Sequence, residues 1–191
     1  MDNWKRFLPA AAIAIGILVA AAPSAWGQGH CMAFDATEIG AYYLPGANTA
    51  VPNGGWVSDI TFLIGSLQLH AKAVYDAADD TSKIPPEAGR NVAIGTETGK
   101  LTFDDGSKLE MPGHFTAVRL WAPNGVARLN ESGTIEKGTG TFTNASGNFT
   151  THGVFGPGVL PADSAAVMGV VQDTSGTICL NLADIVVGGK K

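Results

Sequence analysis

The chain has 191 residues, a formal net charge of −5, 45% hydrophobic residues and only two cysteines. This mild acidity argues against a nucleic-acid partner or an anionic membrane surface, because both usually bind a basic face. Two cysteines far apart in the sequence also exclude a zinc or redox site built on a Cys-x-x-Cys motif.

The N-terminal segment is typical of a secretory signal peptide. Two basic residues precede an apolar run over 7–22, and the small residues on either side of Trp26 suit cleavage before Gln28. The alternative is an uncleaved membrane anchor, but the run is near the lower limit of the roughly 17–25 residues that span a bilayer. We therefore predict a signal peptide over 1–27 and one secreted or periplasmic domain over 28–191, without membrane contact after cleavage.

The two cysteines lie near the two ends of the predicted mature chain, at Cys31 and Cys179. In an oxidising compartment such a pair is expected to form a disulfide that joins the first strand to the last. Two unpaired buried thiols are the alternative.

Short β-rich runs separated by Gly, Asp, Asn and Pro follow one another after residue 30, and no convincing amphipathic helix interrupts them. Successive hairpins of this kind make a meander, and closing a meander removes its exposed edges, which favours an antiparallel barrel over an open sheet. Two irregular loops are predicted over 44–55 and 76–89, and the first could serve a function at a barrel mouth. The predicted strands lie near 31–44, 57–64, 67–76, 90–103, 107–121, 126–136, 140–155, 166–174 and 177–187.

Alternating side chains indicate which faces of these strands are buried. The run 67–75 has apolar residues at its odd positions, which predicts one buried face. A three-residue turn over 104–106 would pair Leu101 with Leu109 on one face of a hairpin. The last two predicted strands flank a turn at Thr174-Ser175-Gly176.

Two charged residues, Arg119 and Glu131, stand at positions where the alternation predicts apolar side chains. They face each other if the turn is Asn124-Gly125-Val126, whereas a turn of only Asn124-Gly125 sets Arg119 opposite Asn130. Such a pair could orient a ligand in the barrel or be an ion pair that only stabilises the fold. The candidate pocket residues are Arg119, Glu131, Tyr75 and Trp121.

Common catalytic motifs are missing from the sequence. There is no Gly-x-Ser-x-Gly nucleophile elbow, and the four histidines show no metal-binding spacing. The glycine-rich run 138–143 lacks the residues that complete a Rossmann, Walker or kinase phosphate loop. No cofactor and no metal site are predicted.

The same glycine-rich run carries a family resemblance. The segment GTGTFTNASGNF, residues 138–149, resembles the GGTGxFxxAxGxF motif of dirigent and allene oxide cyclase-like barrel proteins. Lys137 stands where the motif usually has its leading glycine, and a bulge near 145–147 would bring Phe142 and Phe149 to one face. The matching positions are Gly138, Gly140, Phe142, Ala145, Gly147 and Phe149.

The resemblance implies an all-β fold, a single up-and-down barrel of eight antiparallel strands with an apolar central cavity. It also implies a small hydrophobic or aromatic partner, with isomerase (cyclase) or dirigent-type activity that would act by confinement and orientation. A non-catalytic structural or interaction barrel, its lumen filled by side chains, is the alternative, and a lipocalin-like carrier with a wide mouth is a third. The sequence leaves open whether the protein is an enzyme and whether it forms a homo-oligomer.

Overall fold

A computed structural model describes residues 30–80, 83, 91–120, 125–159 and 165–180. The predicted signal peptide, 1–27, lies outside the described residues. The described residues form eight strands and a short 3-10 turn, Gly140–Phe142. The strands are β1 (His30–Tyr43), β2 (Gly55–Ile64), β3 (Leu67–Asp79), β4 (Val92–Phe103), β5 (Lys108–Arg119), β6 (Ala127–Thr139), β7 (Ser146–Gly156) and β8 (Ala166–Leu180).

Each strand pairs antiparallel with its neighbours in the chain, and β1 pairs with β8 to close the sheet into a barrel. The predicted all-β, eight-stranded, up-and-down barrel is therefore confirmed. Cys31 and Cys179 lie directly opposite each other across the closing pair of strands and form the predicted disulfide. The covalent bond thus joins the first strand to the last at the seam of the barrel.

The barrel has two ends that differ in their interior. At the end that we call the filled pole, the β2–β3, β4–β5 and β6–β7 turns lie beside the start of β1. The predicted hairpin is confirmed there, with Leu101 opposite Leu109 and Gly106 at a φ of 83° in its turn. At the other end, the open pole, lie the connections after β1, β3, β5 and β7.

Aromatic rings fill the interior at the filled pole. Phe34 and Phe62 stack with ring centroids 4.6 Å apart, and Phe103 contacts the Phe62 ring edge-on at 5.9 Å. The Phe103 ring also lies 4.3 Å from that of Phe142, centroid to centroid. All four rings are buried in one continuous hydrophobic core, so this half of the barrel is a packed core.

The C-terminal part of the predicted strand pattern was wrong. The structure has one continuous strand, Ala166–Leu180, in place of two strands around a Thr174-Ser175-Gly176 turn. A Cβ atom on Gly176 would lie 2.1 Å from the carbonyl oxygen of Asn148 and 2.8 Å from the Phe34 ring. This glycine therefore allows close approach within the sheet and does not mark a turn.

The predicted strand 140–155 was also partly wrong. Residues 140–142 form the 3-10 turn, and β7 begins only at Ser146. Phe142 and Phe149 are both buried in the core, as predicted. The turn between β6 and β7 brings them together, however, and not a bulge within one strand. The family-like motif is thus a hairpin connection at the filled pole.

The loop over 44–55 is held by its own backbone. The amide of Gly46 donates to the carbonyl of Pro52 at 2.9 Å, and Val51 packs against Ala41 and Tyr43. None of these residues lines the interior cavity described below. Within the described residues, no helix is long and apolar enough to cross a membrane.

Candidate ligand cavity

A cavity of about 340 Å³ occupies the barrel interior at the open pole. Its walls are aromatic and aliphatic, and the wall residues lie on the inward faces of β2, β4, β5, β6, β7 and β8. The Trp56 ring meets that of Phe155 edge-on, with centroids 5.7 Å apart. The main wall residues are Trp56, Ala93, Phe115, Ala117, Leu129, Phe155, Met168 and Val170.

Polar side chains form the floor of this cavity. Glu38 and Gln172 lie directly opposite each other on β1 and β8, and each is only 4% exposed. Gln172 Nε2 donates to Glu38 Oε2 at 2.8 Å, and the Tyr75 hydroxyl donates to the same carboxylate oxygen. All three side chains also line a smaller space of about 30 Å³ beneath the floor, next to the filled pole.

Two further carboxyl groups surround this floor. Glu97 lines the cavity, and Glu131 lines the smaller space beneath it. Burial raises the pKa of Glu97 to about 7, helped by the negative charge of Glu38. Burial raises the pKa of Glu131 to about 8, and the charges of Glu97 and Glu38 add to that effect.

The pKa values of the hydrogen-bonded groups of the floor are raised as well. Burial raises the pKa of Glu38, although the hydrogen bonds from Tyr75 and Gln172 oppose the rise. Burial and the neighbouring Glu38 raise the pKa of Tyr75 well above its ordinary value. Tyr75 therefore stays a neutral hydrogen-bond donor, and the three glutamates share fewer than three negative charges near neutral pH.

Glycines make the room that these side chains occupy. A Cβ atom on Gly113 would lie 2.2 Å from Glu131 Oε1, and a Cβ on Gly99 would lie 3.0 Å from the Tyr75 ring. Gly99 is directly opposite Tyr75 on the neighbouring strand. The glycines of β4 and β5 thus let long polar side chains lie across the inner face of the sheet.

The structure brings together two of the four candidate residues that the sequence indicated. Tyr75 and Glu131 both face the barrel interior at the polar floor. Trp121 lies outside the described residues, and for Arg119 only the backbone is described. Arg119 pairs with Ala127, so both predicted β5–β6 registers were wrong, and Glu131 stands opposite Phe115 instead.

Sequence reasoning missed Glu38, Glu97 and Gln172. The signal that indicated Glu131 was a polar residue at an apolar position, and it is present for these three as well. Glu38 follows Phe34 and Ala36 at alternate positions, and Glu97 precedes Gly99 and Leu101 in the same way. Gln172 follows Met168 and Val170 at alternate positions of β8.

The described residues contain no group of three or more His, Cys, Asp and Glu side chains that could hold a metal ion. Glu38, Glu97 and Glu131 are near enough to affect one another's pKa without forming a metal-binding arrangement. The chemistry of the floor is therefore that of carboxyl groups, a phenol and an amide.

Comparisons with known proteins give one match. No family model matches the chain, and no curated protein matches it. Among solved structures, the chain matches the pterocarpan synthase dirigent protein with probability 1.00, 15% sequence identity and a TM-score of 0.39. The match covers 83% of this chain and 96% of that one.

Proposed function

We propose that the barrel holds a small apolar or aromatic molecule in the cavity at its open pole. The observation that carries this proposal is the cavity itself, about 340 Å³ with apolar walls and a polar floor. That volume lies in the range of small-molecule sites, and sites of this kind combine apolar walls with a few polar groups that fix orientation. The alternative, a structural barrel whose lumen is filled throughout by side chains, fits only the filled pole.

An isomerase or cyclase activity of the dirigent type would use confinement together with proton transfer at the floor. Carboxyl groups with pKa values of about 7 and about 8 can give or take a proton near neutral pH. Glu97, which lines the cavity, would be the donor in its neutral form, and Glu38, which accepts two hydrogen bonds, would be the acceptor. Tyr75 would hold Glu38 in position.

Secretion to an oxidising compartment is part of the same proposal. The Cys31–Cys179 disulfide is consistent with such a compartment. The signal-peptide pattern over 1–27 gives independent support.

Native mass spectrometry of the protein purified from its own host tests the ligand proposal. We expect a co-purifying small molecule, and we expect Ala117→Phe to abolish its retention because Ala117 lines the cavity. Ala78→Phe is the matched control, since Ala78 is exposed on the outer face of the barrel. Equal retention by both variants would place the ligand elsewhere and contradict the proposal.

A further inference from the structure

The side-chain oxygen of Gln172, at the cavity floor, is a hydrogen-bond acceptor without a partner. Gln172 is 4% exposed and donates its Nε2 hydrogen to Glu38, while its Oε1 has no hydrogen-bond partner. An amide oxygen can only accept, and leaving a buried acceptor without a partner has an energetic cost. A ligand that brings a hydrogen-bond donor would remove this cost.

The described lining of the cavity is acidic and includes no basic side chain. Titratable groups face it from β1 (Glu38), β3 (Tyr75 and Asp79), β4 (Glu97) and, from beneath, β6 (Glu131). The described lining residues of β2, β5, β7 and β8 carry no titratable group, and no described lining residue is Lys, Arg or His. Neither Glu97 nor Glu131 takes part in an ion pair within the described part of the chain.

The walls suit an organic cation better than a metal ion. Trp56, Phe115 and Phe155 present aromatic surface above the carboxyl groups, and aromatic faces attract ammonium groups. The carboxyl groups, in contrast, form no metal-binding arrangement among the described residues.

We propose that the ligand is a compact aromatic or apolar molecule that carries a protonated amine, with the ammonium group bound by Glu38, Glu97 and Gln172 Oε1. This inference rests on the proposed function and names its ligand class. The apolar skeleton would pack against Trp56 and Phe155, and the ammonium hydrogens would meet the acceptors of the floor.

Binding of such a cation must release protons from the glutamates. A positive charge at the floor favours the ionised carboxylates, so Glu97 and Glu131 lose protons that they hold near neutral pH in the empty cavity. The affinity should therefore rise with pH, by about tenfold per pH unit while one proton is released per ligand bound. An alkyl amine stays protonated throughout this range.

Calorimetric titrations with two probes of the same shape test the inference. The probes are 2-phenylethylamine, which is a cation at neutral pH, and 2-phenylethanol, which is neutral. We expect the amine to bind at least about tenfold more tightly than the alcohol at pH 8, with a preference that shrinks by pH 5.5. Titration in two buffers of different ionisation enthalpy should show proton release for the amine only.

Two variants that each remove one carboxyl group test whether the amine binds at the cavity floor or is attracted by the overall charge of the protein. Glu97→Gln should lower the preference for the amine by about tenfold, because a charge-assisted hydrogen bond is lost. Glu136→Gln removes the same charge from the exposed surface and should leave the preference unchanged.

The outcomes distinguish the two proposals. Binding of the alcohol with no preference for the amine, or an amine affinity that does not change with pH, overturns the inference and leaves the proposed function standing. Failure of both probes to bind at millimolar concentration counts against the proposed function, and the inference falls with it. An equal loss of preference in both glutamine variants would show that the floor does not bind the ammonium group.

Discussion

The two poles of the barrel are built from the same strands and have opposite interiors. At the filled pole, four phenylalanine rings pack with centroids 4.3 to 5.9 Å apart. At the open pole the inward positions of these strands include small side chains such as Ala93 and Ala117 between the aromatic ones, and a cavity of about 340 Å³ remains. The difference indicates that packing at one pole stabilises the fold, whereas the other pole has room for the ligand that we propose.

Truncation of one phenylalanine at each pole should give the largest difference in unfolding free energy between the two poles. Phe62→Ala should cost about 3–5 kcal/mol of unfolding free energy, since Phe62 is 1% exposed and contacts two other rings. Phe115→Ala should cost clearly less, because Phe115 already borders the cavity. Urea denaturation measures both, and equal costs would contradict the division between the poles.

Removal of the disulfide should have the next largest effect. The variant with both Cys31 and Cys179 changed to serine should lose about 2–5 kcal/mol, because the bond closes a loop with a sequence separation of 148. Peptide mapping without reduction should recover the Cys31–Cys179 pair. Free thiols at both positions would contradict the seam described above.

Glu131→Gln should change how stability depends on pH. Folding raises the pKa of Glu131 to about 8 from its ordinary value of 4.5, so the folded state binds a proton that the unfolded state releases between these values. Stability should therefore fall as pH rises from about 4.5 to 8. At pH 8.5 the variant should be more stable than the parent by roughly 1–3 kcal/mol, the order of cost for an unsatisfied buried polar group.

At pH 4.5 the parent carboxyl is protonated in the folded state and about half protonated in the unfolded state, so the advantage of Glu131→Gln should largely disappear. Thermal unfolding across this pH range provides the measurement. The exposed-surface variant Glu136→Gln serves as the control and should show no such trend. Parallel pH profiles for the parent and Glu131→Gln would mean that Glu131 is not perturbed by burial.

The β4–β5 hairpin at the filled pole was predictable from the sequence, because alternation and turn chemistry are local. The Asp104-Asp105-Gly106 turn fixes the hairpin, and Leu101 and Leu109 face each other as predicted. The β5–β6 register was not predictable in the same way. Leu120 donates its backbone hydrogen to the carbonyl of Val126, so the connection is longer than the short Asn-Gly turn that the sequence suggested.

The candidate site was predictable only in part, since it is assembled from strands far apart in the sequence. Tyr75 and Glu131 could be identified individually, but the hydrogen bond from Tyr75 to Glu38 joins residues 37 positions apart. The pairing of Glu38 with Gln172 requires closure of the barrel between β1 and β8. Alternation within a strand indicates which side chains face inward, and only the closed sheet shows which of them meet.

A titration followed through the methionine methyl groups tests the division between the poles most directly. Met168 lines the cavity, whereas Met32 packs against the core at the filled pole. In protein labelled with ¹³C at the methionine methyls, 2-phenylethanol should shift the Met168 signal progressively by ring-current effects and leave that of Met32 in place. A shift of Met32 equal to or larger than that of Met168, or no saturable shift of Met168, would contradict the account.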